Sequence, residues 1–138
     1  MKKKLLALCL LAGVLAGCAG SPGDTPGTGD GAGTGKYTVI SAQKAKQMMD
    51  QADSFVLVDV RTEAEYRAQR IPGAILIPDT QIVAQAPSQL PDKSALIFVY
   101  CRSGVRAKAS ATSLATLGYS NVYDMGGILN WPYDTVSG

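Results

Sequence analysis

Two short segments, Phe55–Val60 (FVLVDV) and Ala95–Tyr100 (ALIFVY), most restrict what this chain can become. Each is a nearly unbroken run of aliphatic and aromatic residues, too short for a helix and rich in β-branched side chains. Such runs form strands covered on both faces, the condition of a parallel sheet buried between helices. Amphipathic stretches lie between and around them. Ser41 can cap a helix that places Ala42, Ala45, Met48 and Met49 on one face, and Thr62 with Glu65 three residues on is a capping-box signature ended by Pro72-Gly73. Tyr37–Ile40, Ile75–Ile77 and Val122-Tyr123 read as shorter strands, residues 79–86 as a weak helix, and Val105–Leu117 as a helix closed by Gly118. Alternation of strands and helices predicts an α/β fold around a parallel sheet, with ligands meeting the loops beyond the carboxyl ends of the strands.

The chain has 138 residues, room for one domain, and that domain is expected at residues 36–138. Lys2, Lys3 and Lys4 precede an apolar stretch, Leu5–Val14, too short to span a bilayer, and Leu15-Ala16-Gly17-Cys18 follows. That tetrapeptide resembles the bacterial lipobox, which implies removal of residues 1–17, a lipid on Cys18 and a location in the cell envelope, facing the periplasm or the cell exterior. Residues 18–35 are Gly, Thr, Pro, Asp, Ala and Ser after the cysteine, and are expected to act as a flexible tether between lipid and domain. Gly33-Thr34-Gly35-Lys36 is no phosphate loop, since Asp30 stands where the first glycine belongs and Tyr37 where Ser or Thr is required.

Charge and composition narrow the function. The chain carries 13 basic and 11 acidic residues, and setting aside the three lysines of the leader leaves ten against eleven, a net of −1. No basic tract interleaved with aromatics remains, so nucleic acid is not an expected partner. With no histidine, catalysis by Cys-His or Ser-His-Asp arrangements is excluded, as are most zinc sites. Of three cysteines, Cys9 and Cys18 belong to the leader region, and Cys101 stands alone in the domain.

Cys101 sits where the second buried strand gives way to a helix, in Cys101-Arg102-Ser103-Gly104-Val105-Arg106. The loop has a glycine and no proline, so its amides are free to turn inward, and together with a helix amino terminus they form an anion cradle. Arg102 and Arg106 add positive charge. Both features favour thiolate over thiol, giving a nucleophile that needs no general base.

These residues resemble the rhodanese family. The resemblance spans residues 37 to about 131 and also includes Asp59-Val60-Arg61 followed by Glu65-Tyr66, Ile71-Pro72-Gly73-Ala74 with Ile77-Pro78, and Gly126-Gly127-Ile128 with Trp131. It departs from the family pattern at Arg70 and Leu76, both outside the loop. The resemblance implies a rhodanese-like three-layer fold, a five-stranded parallel sheet flanked by helices, and a Cys101 that cycles between thiolate and persulfide without a cofactor or metal. The loop residues Arg102, Ser103, Gly104, Val105 and Arg106 would hold the persulfide, with Asp59 and Arg61 supporting. A donor such as thiosulfate and an acceptor such as cyanide or a thiol, free or carried by a protein, are the implied partners.

The residues themselves leave alternatives open. Arg106 can serve as a structural partner of Asp59 or contact substrate, while Arg61 and Glu65, four apart at a helix start, can pair with each other. Trp131 and Tyr133 read as a lid on the core. Two other functional readings stand beside sulfur transfer: a tethered exchange module without turnover, and a phosphatase or arsenate reductase of related fold. Four residues between Cys101 and Arg106, rather than five, make a narrower cradle and favour sulfur over tetrahedral phosphate.

Overall fold

The structure, a computed structural model, describes residues 27–30 and 35–138. Cys18 and the leader lie outside the described residues. Strands β1 (Gly27–Asp30), β2 (Lys36–Val39), β3 (Val56–Asp59), β4 (Ile75–Leu76), β5 (Ile97–Cys101) and β6 (Val122–Gly127) form one sheet in the order β1-β2-β6-β5-β3-β4. Strands β2 to β6 are mutually parallel, and β1 adds antiparallel to β2. The five-stranded parallel sheet expected from the sequence is therefore present. Unlike the expected tether, Gly27–Asp30 pairs with the sheet edge. The physical reason is that an open edge offers backbone donors and acceptors, and pairing with them requires no aliphatic side chain.

Helices α1 (Ala42–Gln51), α2 (Glu63–Ala68), α3 (Ile82–Gln89) and α4 (Val105–Thr116) connect the strands. The period of two along the central strands divides their side chains between two cores. Val58, Val60, Ile97, Val99 and Cys101 face Ile82, Ala86, Ala107, Ala111 and Leu114 of α3 and α4. Leu57, Phe98 and Tyr100 face Ala45 and Met49 of α1, with Tyr66 of α2, Ile128 and Trp131 alongside. Every residue of β5 is buried, as a central strand of a three-layer fold requires.

Helix starts follow the sequence signals. Ser41 accepts the Lys44 amide at 3.1 Å, and Thr62 and Glu65 form the reciprocal capping box. Three boundaries differ. The expected helix at 79–86 is a 3₁₀ turn, Asp79–Gln81, followed by α3, which ends two residues beyond Pro87. Strand β5 reaches Cys101, and β6 extends to Gly127, because Cys101 and Gly127 pair across the sheet. That pairing brings the Gly126-Gly127 segment against the Cys101 loop.

Candidate active site

The alternation along β5 sends Tyr100 and Cys101 to opposite faces, so two distinct polar arrangements arise from adjacent residues. Cys101 is fully buried at the end of β5. Its Sγ accepts the Gly104 amide at 3.0 Å. Gly104 adopts φ +110°, a left-handed conformation that reverses the chain and opens α4 directly behind the sulfur. The amino terminus of α4 thus lies behind Sγ, and its positive end together with the Gly104 amide forms a setting that suits a bound anion. Of the expected cradle, Gly104 supplies the amide that bonds the sulfur. The Val105 side chain is 77% exposed, which confines any role in holding an anion to its backbone. Arg102 and Ser103 are exposed, with Arg102 at the rim of a cleft of about 190 Å³ lined also by Arg61, Glu65, Ala68, Gln69, Ile128 and Leu129.

On the other face, Asp59 is wholly buried and surrounded by donors. It accepts from Arg61 through the backbone amide at 2.9 Å, Nε at 3.0 Å and Nη2 at 2.7 Å, and from the Tyr100 hydroxyl at 2.8 Å. Tyr100 in turn accepts the Ile71 amide at 3.1 Å. Burial works against the Arg61 charge, but bonding to Asp59 outweighs it and holds the guanidinium above its ordinary pKa. Burial, reinforced by Asp59, pushes the Tyr100 phenol well above its ordinary range, so it remains a donor.

The ion pairs correct the sequence reading. Arg106 does not meet Asp59, and Arg61 does not meet Glu65; the partners are exchanged. Arg61 folds back two residues to Asp59, where a buried carboxylate requires a charged donor. Glu65 turns back over the capping box, accepting from Thr62 N at 3.0 Å and Thr62 Oγ1 at 2.9 Å. That places its carboxylate against the first turn of α4, where Arg106 grips it with Nη1 at 2.8 Å and Nη2 at 2.9 Å. The Arg106 bonds, aided by Thr62 against a smaller cost of burial, hold the Glu65 carboxyl far below the usual carboxylate range. Arg106 is raised in return, and the field of Cys101 adds to the effect.

Three contributors escape the sequence reading. Tyr100 looked like core, Glu65 looked like Arg61's partner, and Gly127 carried no spatial meaning. An ideal Cβ on Gly127 would stand 2.0 Å from the Arg102 carbonyl oxygen, so only glycine allows β6 to approach the loop this closely. Leu129 completes the junction by donating its amide to the same oxygen at 3.2 Å.

The family model of the rhodanese-like domain matches residues 41–133, about two-thirds of the chain and the whole of the arrangement just described. The chain belongs to the rhodanese-like family. The rhodanese-like domain is similar to a sulfurtransferase of Allochromatium vinosum, 32% identical over 93 residues that cover 67% of this chain and 85% of that protein. It is also similar to the thiosulfate sulfurtransferase PspE of Escherichia coli, 30% identical over 81 residues, covering 59% of this chain and 78% of the relative. Among solved structures, a rhodanese with anions from E. coli superposes with a TM-score of 0.59 at 28% identity, covering 62% of this chain and all of that one. Sulfurtransferases are thus among its relatives.

Proposed function

We propose that this domain is a sulfurtransferase that moves sulfane sulfur from a donor such as thiosulfate to a thiophilic acceptor through a persulfide on Cys101. The Cys101 thiolate attacks the outer sulfur of the donor. A new S–S bond forms, the donor's S–S bond breaks, and the electron pair leaves with sulfite. Cyanide or a thiolate then attacks the outer sulfur of the persulfide, giving thiocyanate or a new persulfide and restoring the Cys101 thiolate. Anions enter and leave at each step without net proton transfer, which suits a chain that has no histidine. The observation that carries this reading is the Gly104 amide on Cys101 Sγ at the start of α4, an arrangement that serves an anion on sulfur in a chain without histidine.

The test uses the full-length chain with Cys9→Ser and Cys18→Ser, leaving Cys101 as its single thiol. Thiosulfate and cyanide should yield thiocyanate over many turnovers, and Cys101→Ser should abolish it. Equal turnover in that variant would overturn the reading. We also propose that a lipid on Cys18 anchors the native protein in the cell envelope, with the domain on the periplasmic or outer side and a protein thiol among its acceptors. Labelled fatty acid should enter the native chain and not the Cys18→Ser variant; labelling of both would refute the anchor.

A further inference from the structure

The two arginines of the loop are not equivalent. Arg106 is held by both oxygens of Glu65, and Asp79 also lies within its field. Arg61 is matched by Asp59. Arg102 has no ion-pair partner among the described residues. Arg102 is therefore the cleft's one side-chain cation left unmatched among the described residues, and the amino terminus of α4 adds only a partial positive charge to it. Glu65 itself lines that cleft beside Arg102, the residue next to Cys101, so a donor seated there meets its carboxylate. The apolar part of the lining supplies an independent clue. Ala68, Ile128 and Leu129 give the cleft an apolar side, and Leu129 is 66% exposed. An inorganic dianion has nothing to place there, whereas the carbon substituent of an organic donor does.

We infer that Glu65 is the specificity-determining residue of this site: by cancelling Arg106 it biases Cys101 toward singly charged organic sulfane-sulfur donors, such as persulfides and thiosulfonates, over thiosulfate-type dianions. The inference rests on the assignment of Cys101 as the sulfur-carrying nucleophile. The chemical step is unchanged, since the outer sulfur passes to Cys101 and the organic sulfinate or thiolate departs with the electron pair. What Glu65 alters is the repulsion met by each further negative charge on the donor.

Glu65→Gln removes the charge while keeping one acceptor oxygen for the capping box and Arg106 Nη1; the second oxygen, which accepts from Arg106 Nη2, is lost with it, so Arg106 is freed both in charge and in bonding. In the full-length chain with Cys9→Ser and Cys18→Ser, kcat/KM is compared for thiosulfate and benzenethiosulfonate with cyanide as acceptor. Glu65→Gln should raise the thiosulfate-to-benzenethiosulfonate ratio on the order of tenfold at low salt, with the gain fading as salt is added. Arg106→Gln should move the ratio the opposite way, a reversal that misfolding does not produce. In the Arg106→Gln background, Glu65→Gln should again raise the ratio, now from the lower starting point. An unchanged ratio in both single variants, or a shift of the same sign in both, would overturn the inference.

A second readout does not depend on turnover. Alkylation of Cys101 by iodoacetate relative to iodoacetamide reports the local charge, because the thiolate fraction cancels in the ratio. Glu65→Gln should increase that ratio severalfold. If the ratio rises but neither donor transfers sulfur to the parent chain, the sulfurtransferase reading fails while the charge assignment stands. If sulfur is transferred and the ratio stays fixed, the role of Glu65 fails instead.

Discussion

Gly127→Ala separates the geometry of the Cys101 loop from the stability of the fold. The added Cβ would lie 2.0 Å from Arg102 O, 2.5 Å from Arg102 C and 2.7 Å from Ser103 N, all backbone atoms that cannot rotate away. Contacts of this kind essentially never fall below 3.0 Å, so strand and loop must part by about 1 Å or more. The Leu129 amide bond to Arg102 O, already 3.2 Å, is then lost, and the backbone between Cys101 and Gly104 shifts with it. Overpacking of this size costs about 1 to 3 kcal/mol. A misplacement near 1 Å at a reacting centre costs roughly 10²-fold in rate. The control is Gly126→Ala. Its Cβ meets nothing within 4 Å, but φ +81° makes the residue strained, at about 1 to 2 kcal/mol. Urea unfolding should therefore show similar losses of stability in the two variants, while thiocyanate formation falls about a hundredfold in Gly127→Ala and stays within a few-fold of the parent in Gly126→Ala. Full activity in Gly127→Ala, or equal loss in both, would refute the claim that close approach of β6 positions the loop.

Tyr100→Phe strips one donor from buried Asp59 and leaves the Ile71 amide without its acceptor, so urea unfolding should show a loss of about 2 kcal/mol. Asp124 is 5% exposed, and burial raises its carboxyl pKa, so its ionised form opposes folding. A raised folded pKa means that stability falls as pH rises through it. Asp124→Asn retains an oxygen for the Gly126 amide, accepted at 2.9 Å, and should be more stable by about 1 kcal/mol at neutral pH, the gap closing in acid as the parent carboxyl protonates. Ser110 Oγ is buried on α4 without a partner among the described residues, so Ser110→Ala should raise stability by about 1 kcal/mol, measured by the same unfolding curves.

Local signals carried the architecture. The apolar runs at Phe55–Val60 and Ala95–Tyr100 became the two central strands, and Ser41 and Thr62 began helices as their side chains require. The setting of Cys101 was legible for the same reason, since the strand, loop and helix around it are contiguous in the chain. Pairings across the fold were not. Glu65 and Arg106 are 41 residues apart, and their union depends on how α2 and α4 converge at one end of the sheet. Arg61 had two acidic neighbours within reach, and only burial of Asp59 decides between them. Tyr100 resembled any aromatic core residue until its hydroxyl was seen between Asp59 and Ile71. The length of β6 was hidden because Gly126-Gly127 reads as a strand breaker, whereas the approach of the Cys101 loop requires glycine there.

Sulfur transfer through Cys101 is tested most directly by the intact mass of the chain with Cys9→Ser and Cys18→Ser before and after exposure to thiosulfate or benzenethiosulfonate. The account predicts a gain of one sulfur atom on Cys101, removed by cyanide and absent from Cys101→Ser. No gain with either donor, or the same gain without Cys101, would contradict it.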